Sequence, residues 1–85
     1  MEDIIKLRAK AKLLEPLIRI GKNGLTEGAV NEIKQMLMKR RMIKIKMLEA
    51  FYSGKDKKEL ANEIAEKTNS VLVESVGNVA VLHKK

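Results

Sequence analysis

Apolar residues recur every three or four positions in three stretches of the chain, and this spacing predicts three helices. The first stretch covers residues 3–14, and one of its helical faces carries four apolar side chains. These are Ile4, Leu7, Ala11 and Leu14. Pro16 disfavours helical backbone at the residue before it, so this helix is predicted to end there.

The second helix is predicted over residues 26–40, with Thr26 as its N-cap, because a hydroxyl at that position accepts a hydrogen bond from a first-turn amide. Its buried stripe comprises Ala29, Val30, Ile33, Met36 and Leu37. The third helix is predicted to begin after Asp56, and Glu59 can complete a capping box with it. The apolar face of that helix comprises Leu60, Ala61, Ile64 and Ala65.

Four shorter stretches alternate apolar and polar residues or are rich in valine, and they predict strands. They are Leu17–Ile20, Met42–Leu48, Val71–Val76 and Val79–His83. Gly77-Asn78 is a two-residue link typical of a hairpin between the last two strands. The element order α-β-α-β-α-β-β predicts an α/β fold: one domain over residues 1–85, with a four-stranded mixed sheet and helices mainly on one face.

The charge of the chain is strongly basic, with 18 Lys and Arg against 11 Asp and Glu and a net charge of +7. Residues 1–49 hold 12 basic and 6 acidic residues, whereas residues 50–85 hold 6 and 5. Such an excess favours a polyanionic partner, either nucleic acid or an anionic membrane. A well-solvated surface explains the same charge, so composition leaves these alternatives open.

Several kinds of chemistry lack the residues that they need. The chain has no cysteine, which removes disulfides and thiolate nucleophiles and suits a reducing cytoplasm. His83 is the single histidine and stands apart from any carboxylate cluster, so no metal, cofactor or catalytic triad is predicted. No apolar run reaches the roughly 20 residues that span a bilayer. We therefore predict a cytoplasmic monomer that is not an enzyme and has no membrane or small-molecule partner.

Two glycines, Gly21 and Gly24, enclose a short loop between the first predicted strand and the second helix. Glycine adopts positive φ readily and has no side chain to hold a ligand away from the backbone. The amides of residues 22–26 are expected to face outward at the helix N-terminus, where they would favour an anion. Lys22 and Asn23 would add a charge and an amide. A G-x-x-G loop clamps a sugar-phosphate backbone in KH domains, although an ordinary tight turn needs the same glycines.

The sequence LRAKAKLLEPLIRIGKNGLTEGAVNEIKQMLMKRRMIKIKML, together with the terminal VGNVAVLHKK, resembles the CRM domain. The name stands for chloroplast RNA splicing and ribosome maturation. The similarity extends from Leu7 to Leu82, nearly the whole chain. Its most specific part is the run IGKNGLTEG, followed by the IKIK strand and by the hairpin that ends in VLH.

This resemblance implies an RNA-binding α/β domain similar in fold to the C-terminal domain of translation initiation factor three. The family's RNA-binding loop falls on Gly21, Lys22, Asn23 and Gly24. Stand-alone members in bacteria and archaea are associated with precursors of the large ribosomal subunit, and plant organelle members act in group II intron splicing. Because this chain is predicted to be a single domain, the ribosomal role is the nearer match, with ribosomal RNA or pre-ribosomal particles as partner.

Other cations are candidates for RNA contact. Lys44 and Lys46 alternate with buried isoleucines, and Arg19 would share their sheet face if the two strands are neighbours. A solvated face that discourages edge pairing is equally compatible with these lysines. Lys12, near the end of the first helix, would reach the loop only if the packing brings it there. Compensation of the helix dipole explains most of the run Lys39–Arg41.

Two other functions remain open. A small basic chromatin protein would coat duplex DNA, and an adaptor would place its basic face against an acidic protein partner. The adaptor would need an exposed apolar patch, whereas the helical stripes are expected to be fully used by the core. Phe51 and Tyr52, the two aromatic residues, would either stack on bases or close the core.

Overall fold

The computed structural model describes residues 3–85, which contain four helices and four strands. In chain order they are α1 (Ile4–Ala11), β1 (Pro16–Ile20), α2 (Glu27–Arg40), β2 (Met42–Met47), α3 (Glu49–Tyr52), α4 (Lys57–Lys67), β3 (Ser70–Val76) and β4 (Val79–Lys84). The predicted order of helices and strands is confirmed, with α3 as one additional short helix.

The four strands form one mixed sheet in the order β1-β2-β4-β3. The first two strands are parallel and joined by the α2 crossover, whereas β4 is antiparallel to both β2 and β3. Gly77 opens the two-residue turn between β3 and β4 with a φ of +57°, and tight hairpin turns require a positive φ at this first central position. The predicted four-stranded mixed sheet and closing hairpin are therefore confirmed.

Most of the apolar core lies on one side of the sheet, beneath α2, α3 and α4. The alternating residues of β2, Ile43, Ile45 and Met47, point into this core and are fully buried. The helices contribute Ile33, Leu37, Phe51, Leu60, Ala61, Ile64 and Ala65. Each large aliphatic side chain buried here stabilises the fold by about 1.5–3 kcal/mol relative to an exposed one, so this layer holds the domain together.

A smaller apolar cluster lies on the opposite side of the sheet, where α1 packs. Leu7 and Ala11 contact Val73 of β3 and Val81 of β4. The Arg8 guanidinium also donates from Nε to the Val73 carbonyl at 3.3 Å. The helices therefore lie mainly on one face, as predicted, and α1 covers part of the other.

The first helix is shorter than predicted and its apolar stripe is less completely buried. α1 ends at Ala11, and the following residues form a turn. Ile4 is 38% exposed, Leu14 is half-buried and Leu13 is 86% exposed. The expectation that the helical stripes are fully used by the core is wrong here, because this short helix buries only Leu7 and Ala11.

The helix caps agree with the sequence only in part. The Thr26 hydroxyl accepts a hydrogen bond from the Ala29 amide at 3.0 Å, as predicted for the N-cap of α2. The Asp56 carboxylate accepts from the Lys58 amide at 2.8 Å, but Glu59 makes no described bond that would complete a capping box. Within residues 3–85, none of the helices combines the length and apolar character that crossing a membrane requires.

The sequence pattern does not predict α3. Its four residues, Glu49–Tyr52, make a single turn and are too few to show a helical period. The preceding Leu48 has extended backbone, so the predicted strand ends at Met47 and the chain turns at once into the helix. This helix matters for the site because its Phe51 ring lies beside Gly24.

Candidate nucleic-acid interface

The glycine-bounded loop is a single tight turn with Lys22 and Asn23 at its tip. The Gly24 amide donates to the Gly21 carbonyl at 2.9 Å and closes the four-residue turn. Neither tip residue has a positive φ, as in a type I turn, in which glycine is preferred at the fourth position. Both tip side chains are exposed. The loop therefore presents its two polar residues to solvent, as expected.

Only part of the loop backbone is available to a ligand. The amides of Gly24 and Thr26 donate to carbonyls of the loop itself, at 2.9 and 3.0 Å. The expectation that all amides of residues 22–26 face outward is therefore wrong, because closing the turn uses two of them. Among the described residues, three loop amides have no backbone partner: those of Lys22, Asn23 and Leu25.

The two glycines serve the loop in different ways. Gly24 has a φ of +67°, which costs an L-residue about 1–2 kcal/mol. A Cβ there would meet only the Phe51 ring at 3.7 Å, which is ordinary contact. Gly21 has no positive φ, but its Cβ would lie 3.3 Å from Leu48 Cδ1. Gly24 thus sets the turn, whereas Gly21 allows close packing against Leu48.

The segment that begins α3 supports this loop. The Leu48 amide donates to the Ile20 carbonyl at 2.8 Å and extends the pairing of β1 and β2 to the base of the loop. Phe51 is 9% exposed and lies beside Gly24. Sequence reasoning misses this support, because Leu48 and Phe51 lie 27 residues beyond Gly21 and Gly24 and no local pattern links them.

Three of the candidate cations lie together on the sheet face that α1 partly covers. Ile18 and Ile20 point into the main core, so Arg19 between them points to the opposite face. Lys44 and Lys46 alternate in the same way with the buried residues of β2. Arg19 and Lys46 are direct partners in the parallel pairing, so the expected neighbourhood of the two strands is confirmed.

These side chains form a row that leads to the loop, and we call it the cationic track. It consists of Lys22, Arg19, Lys46 and Lys44. Arg19 precedes Gly21 by two residues, and Lys46 lies opposite it in the register, so both occupy the end of the sheet from which the loop emerges. No ion pair with another described residue neutralises any of the four cations.

Lys12 lies beside the track, at the middle of the sheet face. It lines a shallow depression of about 320 Å³ together with Lys44 and Glu74. Glu74 and Lys44 both pair with Val81, from opposite sides of β4. The packing thus places Lys12 next to Lys44, where Glu74 offsets part of the local charge.

The N-terminus of α2 is a less favourable anion site than the sequence suggests. Glu27 occupies its first turn, where a carboxylate interacts favourably with the helix dipole and competes with an incoming anion. The Ala29 amide is also already bonded to the Thr26 hydroxyl. The cationic track is therefore the main source of positive side-chain charge at this end of the molecule.

The two aromatic residues serve the protein itself. Phe51 belongs to the main core, so the interpretation that it closes the core is confirmed. Tyr52 is half-buried, and the Lys57 ammonium lies 4.6 Å from the centre of its ring. A cation at that distance occupies a ring face that a base would need for stacking.

An apolar groove lies between the α1–β1 link and the start of β2. Its volume is about 390 Å³, and its apolar lining includes Leu13, Leu14, Leu17 and Met42. Glu15, Arg40 and Lys44 line it as well, so its charged lining contains both signs. The exposed apolar patch that an adaptor would need is therefore present, next to one end of the cationic track.

Fold and surface together define a small basic α/β domain that carries a glycine-bounded turn at the end of a cationic sheet face. The family model for the CRS1 / YhbY (CRM) domain matches residues 2–84 of the chain. The chain therefore belongs to this family, as the resemblance of its sequence predicts.

Individual relatives agree with this assignment. The chain is 33% identical to the Bacillus subtilis protein named Probable RNA-binding protein YqeI, covering 93% of this chain and 80% of that one. It is 37% identical to Probable RNA-binding protein MJ0652 of Methanocaldococcus jannaschii, covering 92% of this chain and 58% of the relative.

A solved structure supports the fold. The solution structure of the hypothetical protein SAV1595 from Staphylococcus aureus superposes with a TM-score of 0.78 at 34% sequence identity. The match covers 96% of this chain and 83% of the other. The mixed four-stranded α/β architecture is therefore shared with a protein whose structure was determined by experiment.

Proposed function

We propose that this protein binds structured RNA through the Lys22-Asn23 turn tip and the cationic track. Its proposed target is ribosomal RNA in precursors of the large subunit. The observation that carries the proposal is the position of the exposed tip directly beyond the Arg19–Lys46 pair, at one end of the same sheet face. The names of the relatives, which describe RNA-binding proteins, support the same reading.

The proposed mechanism has two parts. Cations of the track replace counterions along the phosphate backbone, so the affinity falls steeply as salt rises. The free amides of Lys22 and Asn23, with the Lys22 ammonium, then hold a phosphate at the turn tip. Recognition depends mainly on the shape of the RNA, because this surface offers few side chains suited to reading base edges. Large-subunit RNA as the target rests on the family resemblance of the sequence.

The loop can be tested by reversing its charge. Lys22→Asp with Asn23→Asp should leave the fold intact, because both side chains are exposed and neither has a described contact. We expect the affinity for a large-subunit precursor RNA to fall by about tenfold or more, since the reversed charge at position 22 and the added carboxylate at position 23 each cost on the order of 1 kcal/mol near a phosphate. A folded variant that binds with unchanged affinity would show that the loop is not the contact surface.

Glu27→Gln provides a matched control of opposite sign at the same site. Removing this carboxylate should raise the affinity about two- to fivefold, because it takes away the repulsion between two like charges, which is worth up to about 1 kcal/mol in water. The same substitution should slightly lower the stability of α2. If the loop variant weakens RNA binding and Glu27→Gln strengthens it, the bound phosphate lies at the turn.

The rival functions give different results. An RNA duplex should displace the protein from a DNA duplex of equal length at matched salt, and the reverse preference would favour the chromatin alternative. Sedimentation of a cell extract should place the protein with large-subunit precursors. Finding it outside ribosomal particles, bound to an acidic protein, would favour the adaptor alternative and the apolar groove beside Lys44.

A further inference from the structure

A second group of cations converges at the end of the sheet opposite the loop, and we call it the basic pole. β2 begins there, directly after α2, and β4 ends there. Two adjoining shallow depressions share Lys84 in their linings. The cations that line them are Lys34, Arg41, Lys84 and Lys85.

Compensation of the helix dipole does not account for this group. The C-terminus of α2 carries the equivalent of roughly half a negative charge, and Lys39 and Arg40 in its last turn already exceed that. Lys84 and Lys85 come from the far end of the chain and have no part in the helix. Dipole compensation, which the sequence suggests for Lys39–Arg41, therefore explains only part of the positive charge at the basic pole.

The arrangement of the basic pole is held by backbone contacts. The Arg41 amide donates to the Leu37 carbonyl at 2.8 Å, and the Arg41 carbonyl accepts from the Lys84 amide at 2.7 Å. These two bonds keep Arg41 at a φ of +64° and ψ of −39°, which is unfavourable for a residue with a side chain. The two cations are therefore held close together by the chain itself.

Among the residues that line the two depressions, none is acidic. The Lys85 ammonium bonds to the neutral side chain of Asn69 at 3.1 Å, and neither Arg41 nor Lys84 forms an ion pair with a described residue. Like charges that converge with no acidic side chain among them repel each other and disfavour the folded state. A polyanion that binds across them would remove that repulsion.

The basic pole and the loop are separated by the length of β2. Six strand residues at about 3.3 Å each place them roughly 20 Å apart. An RNA that contacts both must be an extended or folded structure that follows the whole long dimension of the sheet. A ligand confined to the loop would not reach the pole.

We infer that the basic pole is a second phosphate-binding surface, which engages the same RNA molecule as the loop and so selects a structured RNA at least as long as the sheet. This inference rests on the proposed function and adds to it the extent of the RNA that is bound. The partner is identified by charge: a backbone of phosphates suits a group of arginine and lysine side chains in depressions whose linings contain no acidic side chain.

The test compares the salt dependence of RNA binding in three proteins. The pole variant combines Arg41→Gly with Lys84→Gln; glycine suits the positive φ at position 41, and the Lys84 side chain is exposed. The control combines Lys58→Gln with Lys67→Gln, which removes the same charge from α4, where Lys67 already pairs with Glu63 at 3.2 Å. The probe is an RNA duplex of about 16 base pairs, a length that small duplex-binding domains cover.

We expect the magnitude of the negative slope of log affinity against log salt to decrease by about two in the pole variant, one for each lost phosphate contact, and to stay unchanged in the control. An unchanged slope in the pole variant, or an equal decrease in the control, would overturn the inference. A change in stoichiometry without a change in slope would show that the pole binds a separate molecule, and would overturn it as well.

The same measurements separate this inference from the proposed function. If the wild-type protein does not bind RNA, or if the Lys22→Asp and Asn23→Asp variant binds as tightly as the wild type, the proposed function fails. If the loop variant weakens binding while the pole variant keeps the full salt slope, the proposed function stands and the second surface does not exist.

Discussion

Both ends of the sheet contain residues with a positive φ, but the kinds of residue differ. At the loop end, positive φ falls on Gly24 and on Gly77 of the hairpin turn. At the basic pole it falls on Arg41 and Asn69. Glycine adopts this conformation without steric cost, whereas a side chain costs about 1–2 kcal/mol.

The difference separates two ways of presenting positive charge. At the loop end, the relaxed turn leaves the amides of Lys22 and Asn23 free for a ligand, and the Lys22 side chain provides the charge. The basic pole places a guanidinium at a strained position, although a glycine there would relieve the strain. A surface that clamps an RNA backbone would require the relaxed backbone of the loop end. A surface that contacts phosphates by charge would require the retained side chain of the basic pole.

The largest expected effect on stability comes from removing the side chain that supports the loop. Phe51→Ala should lower the free energy of unfolding by about 3–5 kcal/mol, because it leaves a cavity in the main core beneath Gly24. Urea denaturation measures the loss, and hydrogen exchange of the Gly24 amide should accelerate.

Tyr52→Phe is the control for that change, since the Tyr52 hydroxyl has no described hydrogen bond and the ring is kept. It should alter stability by less than about 0.5 kcal/mol. A loss below about 1 kcal/mol for Phe51→Ala would contradict the view that the ring supports the loop.

The next effect distinguishes the two glycines of the loop. Gly24→Ala should destabilise the protein by about 1–2 kcal/mol, because alanine is strained at a φ of +67°. Gly21→Ala should cost less than about 1 kcal/mol, since only the flexible end of the Leu48 side chain must move away from the new Cβ. Thermal unfolding of both variants tests the order. Equal losses would mean that the turn conformation is not what distinguishes these positions.

The smallest expected effect is a gain in stability, and it concerns the basic pole. Arg41→Gly should raise the free energy of unfolding by up to about 1 kcal/mol, because relief of the positive φ exceeds the entropy that glycine loses on folding. Arg41→Lys keeps both the strain and the charge, so it should leave stability unchanged. Denaturant midpoints of the two variants measure the difference. Destabilisation by Arg41→Gly would show that the Arg41 side chain contributes packing that outweighs its strain.

Much of the architecture could be predicted from the sequence because the signals are local. The alternation in MIKIKM indicates a strand with one buried face, and the Gly77-Asn78 link indicates a hairpin. α3 could not be predicted, because one helical turn has no period. The incomplete burial of the first helix also escaped prediction, since the spacing of Ile4, Leu7 and Leu14 shows a common face but not how much of it the sheet can cover.

The candidate site could be predicted less completely than the fold. Gly21, Lys22, Asn23 and Gly24 mark the loop in the sequence, because glycine spacing is a local property. The sequence could not predict which loop amides form hydrogen bonds within the turn, since this depends on which carbonyls the closed turn brings near. The role of Phe51 beneath the loop depends on a contact between segments distant in the chain.

The sequence by itself determined the order of the helices and strands other than α3, the excess of positive charge and the position of the glycine-bounded turn, because each follows from neighbouring residues. Only the tertiary structure decided that Arg19 stands beside Lys46 and that Arg41 meets Lys84. Those pairs lie 27 and 43 residues apart, and strand register brings them together. Side chains so far apart in sequence become neighbours because the hydrophobic effect buries the common core. This effect depends on the apolar faces of whole helices and strands rather than on individual charges.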